Sequence, residues 1–148
     1  MRALVQCVSS ASVSVDGNEV ASIGRGYLVF LGVGDGDTDE QARKLWSKIF
    51  KMRVFEDSNG KTNQSLSDIG GDVLVVSQFT LYADCRKGNR PSFSKAMEPV
   101  EAKRLYELFV EIAKEDVENV GTGVFGAMMD VALVNRGPFT IYLDTDEL

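Results

Sequence analysis

The stretch from Thr38 to Phe50 constrains the fold more than any other part of the chain. Thr38-Asp-Glu-Gln41 has the form of a capping box, in which a hydroxyl accepts from the first turn and Gln41 reaches back to the cap. Behind it Ala42, Leu45, Trp46, Ile49 and Phe50 fall at i, i+3, i+4, i+7 and i+8, a single apolar stripe on a helix. Arg43, Lys44, Lys48 and Lys51 lie mostly off that stripe, toward solvent. A helix with one wet face must lay the other on something. The same demand recurs after Pro99, which suits a first helical turn, where Ala102, Leu105, Tyr106, Phe109, Ile112 and Ala113 supply an apolar face.

Strands are the available support. Arg2–Ser9 and Ala11–Val15 precede Asp16-Gly17-Asn18, a turn of the kind that closes hairpins, and Glu19–Ile23 and Gly26–Gly32 continue the pattern. Gly32–Asp37 breaks regular structure. Met52–Phe55 reads as a short strand, Asp57–Gly60 as a turn and 61–71 as a loop. Asp72–Tyr82 is the strongest strand candidate, rich in β-branched and aromatic residues. A loop follows over 83–93, and the chain ends in strands at Val120–Phe125, Met129–Val134 and Phe139–Leu143. Two amphipathic helices among many antiparallel-looking strands predict an α+β fold, a curved, mostly antiparallel sheet or open barrel covered by the helices. No repeat or linker divides residues 1–148, so one domain is expected.

Composition narrows the chemistry. The chain contains no histidine, which excludes a Ser-His-Asp triad, a Cys-His dyad and any metal site built on imidazole. A hydrolase of this sequence has to use carboxylates, backbone dipoles, a hydroxyl or its substrate. Cys7, in an apolar run, and Cys85, in a polar loop, form no zinc pattern, and no metal or cofactor is expected. No stretch reaches the roughly 18 apolar residues of a membrane span, and the opening Met-Arg-Ala-Leu lacks a signal-peptide pattern. A cytoplasmic protein is the expectation. The net charge of −6 argues against a nucleic-acid partner, but its distribution softens that: residues 41–53 and 85–95 are basic without acids. Such clusters equally suit a solvated helix face and a charged loop.

Two segments could carry chemistry. Ser77-Gln78-Phe79-Thr80-Leu81 places three polar side chains at the end of an otherwise apolar strand. They are either outward-facing strand positions or a strand end that offers hydroxyl, amide and backbone N–H groups to a substrate. Asn135-Arg136-Gly137-Pro138-Phe139-Thr140 lies between two strand candidates and reads, by itself, as an ordinary hairpin connection. Gly32-Val-Gly-Asp-Gly lacks the Gly-Lys-Ser/Thr of a phosphate loop, and Gly121–Gly126 opens no helix.

Together the two segments resemble the signatures of the D-aminoacyl-tRNA deacylase family, a Ser-Gln-Phe-Thr-Leu strand end and a later Asn-x-Gly-Pro-x-Thr. The resemblance runs from Met-Arg-Ala-Leu-Val-Gln through Gly-Asn-Arg-Pro-Ser-Phe at 88–93 to Gly126-Ala-Met-Met-Asp130. It implies a homodimer with an open-barrel-like fold that removes D-amino acids from tRNA. Carried over, Gly137-Pro138 has a cis bond and enters the partner's active site, where its carbonyls leave no room for an L-residue. Phe79 and Thr80 supply backbone N–H groups to the ester carbonyl, with Gln78 beside them as catalytic residues. Ser77, Gly137, Pro138, Arg86 and Met129 are expected to bind the substrate, Arg86 as part of a phosphate-facing loop with Lys87 and Arg90. The 3′-terminal adenosine of tRNA is the implied partner group, and its ribose hydroxyl the implied assistant to water. Arg136 and Phe139 depart from the family pattern, which commonly has an acidic and a small β-branched residue there. Three other possibilities share the same residues: a non-catalytic module that binds the tRNA 3′ end or adenosine, a structural dimer held by the Gly-Pro segment, and an esterase with Thr80 as nucleophile.

Overall fold

A computed structural model describes residues 1–148. Strand β1 (Arg2–Val15) turns through Asp16 and Gly17, both at positive φ, into β2 (Asn18–Ile23). Two positive-φ positions match the mirror-image turn whose twist suits a hairpin. Strand β3 (Gly26–Gly32) follows, and β1 is long enough to pair with both: Ala11–Val15 lie antiparallel to β2, and Arg2–Val8 to β3. Helix α1 (Asp39–Lys51) starts at Thr38 with the capping box in place. A small hairpin, β4 (Phe55–Glu56) and β5 (Thr62–Gln64), and a one-turn helix α2 (Leu66–Ile69) lead to β6 (Asp72–Ser77). Helix α3 (Pro99–Asp116), β7 (Val120–Thr122) and β8 (Asp130–Asp144) complete the chain.

The strands β3, β6 and β7 run parallel to one another, while β8 lies antiparallel along the other edge of β1. Small residues let the sheet close. A Cβ built on Gly121 of β7 would come within 3.3 Å of Ala21 Cβ on β2, so β7 and β2 approach across the top of a curved sheet. Val8, Ala11, Val13, Ile23, Leu28, Leu74 and Val76 fill the inside of this open barrel. The opposite face carries Ala3, Val5, Tyr27, Val29, Val73 and Val75 under α1 and α3. Successive residues of β3 and β6 therefore bury on opposite sides, which explains why both strands read as continuous apolar runs.

The predicted stripe of α1 is buried at Ala42, Leu45, Trp46 and Ile49, with Phe50 partly covered. Trp46 meets Phe109 of α3 edge-on at 5.7 Å, and its indole N–H donates to Asp116 Oδ2 at 2.9 Å. Truncation of such a residue to alanine costs about 3–5 kcal/mol. The α+β open barrel is thus the architecture expected, although the strands at its centre are parallel.

Several local expectations need correction. The strand expected over Met52–Phe55 is confined to Phe55–Glu56, because Met52 closes α1 with its N–H on the helix carbonyls. Strand β6 stops at Ser77: Gln78, at φ −144° and ψ 75°, leaves the ladder, and Phe79–Tyr82 wind into a 3₁₀ turn. The segment 61–71 is not all loop; Ser65 and Asp68 cap each other reciprocally to start α2. The segment from Asn135 to Thr140 is no hairpin connection. Strand β8 runs straight through it, paired with β1 at Gln6↔Thr140 and again at Val8↔Asn135. Residues 136–139 thus stand opposite Cys7 alone, a wide bulge that pushes Gly137-Pro138 outward with a cis peptide bond.

Candidate active site

Because β3, β6 and β7 are parallel, their carboxyl ends open onto one edge of the sheet. Three segments meet there: Gly32–Gly34, Ser77–Tyr82 and Gly123–Met129. The loop 83–97 folds back beside them, with Asp84 and Ser92 exchanging backbone bonds. Asp35 N–H donates to the Lys95 carbonyl at 2.9 Å, and Met97 N–H to that of Val33 at 3.0 Å.

Ser77 is the last paired residue of β6, opposite Leu31. Gln78 N–H still donates to the Leu31 carbonyl at 2.8 Å, after which Leu81 N–H turns back to the Gln78 carbonyl at 3.2 Å. Phe79 and Thr80 open this turn, so their N–H groups have no acceptor within it, and neither donates elsewhere on the backbone. Both residues are exposed. The Thr80 hydroxyl accepts from Gln78 Nε2, which occupies an oxygen lone pair and leaves its hydrogen free to point outward. Phe79 is 54% exposed, and its ring stands edge-to-face with that of Phe93 at 5.0 Å. The edge therefore offers two amides, one oriented hydroxyl and two aromatic rings.

A set of residues that sequence reasoning missed holds the turn in place. Arg2 donates from Nε to Asp144 Oδ2 at 2.7 Å and from Nη1 to the Leu81 carbonyl at 3.0 Å, with its guanidinium carbon 4.3 Å from the centre of the Tyr82 ring. Asp37 accepts from the Met1 ammonium and from Gly34 N–H, each at 2.6 Å. Burial tends to raise the Asp144 carboxyl, but the Asp146 amide and Arg2 outweigh it and hold it below its ordinary range. Burial and the nearby Asp37 push the Tyr82 phenol far up, so it remains protonated. A Cβ on Gly34 would lie 2.5 Å from that ring, so glycine is required there by close approach. The only sequence signal for this clamp is Arg2 itself, a cation within an apolar strand.

Met129 lies on the same edge, half-buried, with its sulfur accepting from Val124 N–H at 3.4 Å. Arg86 behaves differently from a free phosphate ligand. It grips Asp84 with Nε at 2.8 Å and Nη2 at 2.5 Å. Gly137 and Pro138 are not part of this edge. Their bulge stands opposite Cys7, which pairs with Tyr27, which in turn pairs with Val73. Ser77 is four residues farther along β6, so three strand spacings and four residue rises separate the two motifs, about 20 Å. Nothing lies within 4 Å of a Cβ built on Gly137, and its backbone does not require glycine. No group of three or more His, Cys, Asp or Glu side chains could hold a metal ion, and no helix is long and apolar enough to cross a membrane.

Comparison with known proteins identifies the family. Residues 4–144 match the family model described as D-Tyr-tRNA(Tyr) deacylase. A D-aminoacyl-tRNA deacylase of Aquifex aeolicus (strain VF5) is 55% identical over 148 residues, covering 100% of both chains. One of Clostridium botulinum (strain 657 / Type Ba4) is 55% identical over 145 residues, 98% of this chain and 97% of its own. Among solved structures, the c-Myc DNA Unwinding Element Binding Protein superposes with a TM-score of 0.92 at 41% identity, covering 97% of this chain and 98% of its own. A probable eukaryotic D-amino acid tRNA deacylase shares the fold, with a TM-score of 0.82 at 21% identity over 96% of this chain and 97% of its own. With a matching family model across nearly its whole length and relatives identical at more than half of their positions, this chain belongs to the D-Tyr-tRNA(Tyr) deacylase family.

Proposed function

We propose that the protein hydrolyses the ester bond of D-aminoacyl-tRNA, and to a lesser degree glycyl-tRNA, releasing free tRNA and the amino acid while rejecting the L-form. The observation that carries this reading is the pair of unengaged amides at Phe79 and Thr80, aimed from a clamped turn at the end of β6. Such donors stabilise the oxyanion that develops as water attacks an ester carbonyl, and each is typically worth about 3 kcal/mol of barrier. No histidine is available to deprotonate Thr80, and its oxygen already accepts from Gln78. The hydroxyl accordingly positions the substrate, and water is the nucleophile, assisted by the ribose hydroxyl next to the ester. Ser77, Gln78 and Met129 support the substrate on the same edge.

Selection between hands requires a second element, and Gly137-Pro138 provides it from the other subunit of a homodimer. Three features support this. The motif is about 20 Å along the sheet from its own Ser77–Thr80, too far to act there. The space beside Gly137 is open in the single chain. The outer edge of β8 has no partner strand over its 15 residues, and Val134 and Tyr142 expose apolar surface along it. An unpaired edge of that length invites a second copy. Seated against the α-carbon, the two carbonyls collide with an L side chain and leave a D side chain pointing into open space. The substrate is a tRNA 3′ end in the cytoplasm, and no cofactor takes part.

The test compares release from a D-aminoacyl-tRNA and its L-counterpart by wild-type protein and Thr80→Ala. Rapid, D-selective release by both is the expected result. Activity lost in Thr80→Ala alone gives the hydroxyl a direct chemical role. Wild-type protein that holds tRNA without releasing the amino acid overturns the enzyme reading in favour of a binding module.

A further inference from the structure

One pocket of the chain lies away from Ser77–Thr80. It has a volume of about 230 Å³ and lies beside the Gly-Pro bulge, lined by Cys7, Arg25, Phe55, Glu56, Arg136 and Gly137 among others. Two of its walls are arginines without an anion. The ion pairs of the chain engage the Met1 ammonium, Arg2, Arg86, Lys103, Arg104 and Lys114, and neither Arg25 nor Arg136 belongs to any. Both are exposed in the single chain. Arg25 is braced, with its guanidinium carbon 5.5 Å from the centre of the Phe55 ring. Glu56 is the single acid of the lining, so the pocket keeps a net positive charge.

The geometry points to Arg25 and Arg136 as a phosphate-binding pair that acts in trans. This rests on the proposed cross-subunit placement of Gly137-Pro138. If that motif sits against the amino acid in the partner's site, Arg136 is one residue from the substrate's reacting end. The arginine pocket then faces the strand of tRNA that enters the site, whose first phosphate is on the 5′ oxygen of the terminal adenosine. Planar guanidinium groups suit phosphate oxygens, and a pair in a shallow pocket fixes direction as well as charge. In the loop at 85–90, Arg86 is already paired with Asp84. One subunit thus supplies the carbonyl-binding amides, and the other supplies both the chiral wall and the hold on the incoming strand.

The experiment uses full-length wild-type protein, Arg25→Ala/Arg136→Ala and Arg25→Lys/Arg136→Lys on two substrates, a D-aminoacyl-tRNA and a D-aminoacyl-adenosine that carries no phosphate. The alanine variant is expected to fall roughly tenfold in kcat/KM on the tRNA substrate, through KM. Its plot of log affinity against log salt should be shallower by about 0.7–0.9 for each phosphate that is no longer neutralised. Hydrolysis of the adenosine ester and the molecular mass in solution should match wild type, and the lysine variant should recover part of the salt slope. An unchanged salt slope overturns the proposal, as does an equal fall on both substrates. A change in oligomeric state also overturns it, since the pocket would then be filled by the partner subunit. Failure of the functional reading itself looks different: wild-type protein would cleave neither ester.

Discussion

Replacement of Arg2 by methionine tests the clamp under the candidate active site. Methionine keeps an unbranched apolar stem but removes the guanidinium. The variant lacks a charge-assisted bond to Asp144 at 2.7 Å, a bond to the Leu81 carbonyl at 3.0 Å and the stack on Tyr82. A hydrogen bond to a charged group contributes about 1.5–3 kcal/mol and a cation over an aromatic ring about 0.5–1. Asp144 would keep the Asp146 amide at 3.1 Å and the Tyr142 hydroxyl at 3.4 Å, and the Arg2 side chain is 28% exposed, so the sum is reduced. We expect a loss of about 2–3 kcal/mol in urea unfolding at fixed protein concentration, with the slope unchanged. The acid limb gives a signed check. The Asp144 carboxyl is held below its ordinary 3.8, so its contribution is present above that pH and fades as pH falls through the folded value. Arg2→Met should flatten this limb, and a double-mutant cycle with Asp144→Asn should show coupling. With the Leu81 carbonyl released, the turn bearing the Phe79 and Thr80 amides loosens, and kcat should fall about tenfold at constant KM. A loss below about 1 kcal/mol together with an unchanged kcat would refute the reasoning.

Other consequences are simpler to test. Gly137→Ala should alter unfolding stability by no more than about 0.5 kcal/mol, since its Cβ meets open space, yet D-selective release should drop at least about 100-fold; parallel chemical melts and activity assays decide this. Tyr106→Phe removes a buried bond from its hydroxyl to the Val75 carbonyl at 2.8 Å, so thermal or urea unfolding should show a cost of about 1–2 kcal/mol with activity retained. Burial pushes the Cys7 thiol up to about 11, whereas Cys85 is exposed. A thiol reagent at pH 8 should therefore label Cys85 at once and Cys7 only on unfolding; prompt labelling of both would contradict the packing.

Much of the architecture is legible in the sequence because periodicity and capping act locally. Thr38 and Gln41 announce α1, Pro99 announces α3, and Asp16-Gly17 announces the first hairpin. The apolar run Asp72–Tyr82 overshoots the true end of its strand because side chains do not report where a parallel neighbour stops. Strand β3 ends at Gly32, and without its ladder the chain at Gln78 is free to turn. The Ser65-x-x-Asp68 cap is visible in the sequence but sits in a stretch that otherwise reads as loop. Gly137-Pro138 reads as a turn since Pro removes a ladder donor; the long partner strand β1 spans the gap and keeps both halves of β8 in one element. The residues of the candidate site emerge through the family resemblance, whereas the Arg2, Asp37 and Asp144 clamp depends on pairings between distant positions that no local pattern records.

The pairing of β1 with β8 has a bearing on synthesis. Arg2 opposes Asp144, so the first strand made is completed by the last. Strands β1, β2 and β3 can associate as soon as they leave the ribosome, but the other edge of β1 stays bare until more than a hundred further residues have followed. At about 5–20 residues per second this interval is roughly 5–25 s. Throughout it the nascent chain presents Ala3, Val5 and Cys7 on a strand with one unpaired side, the condition under which chains from neighbouring ribosomes join edge to edge.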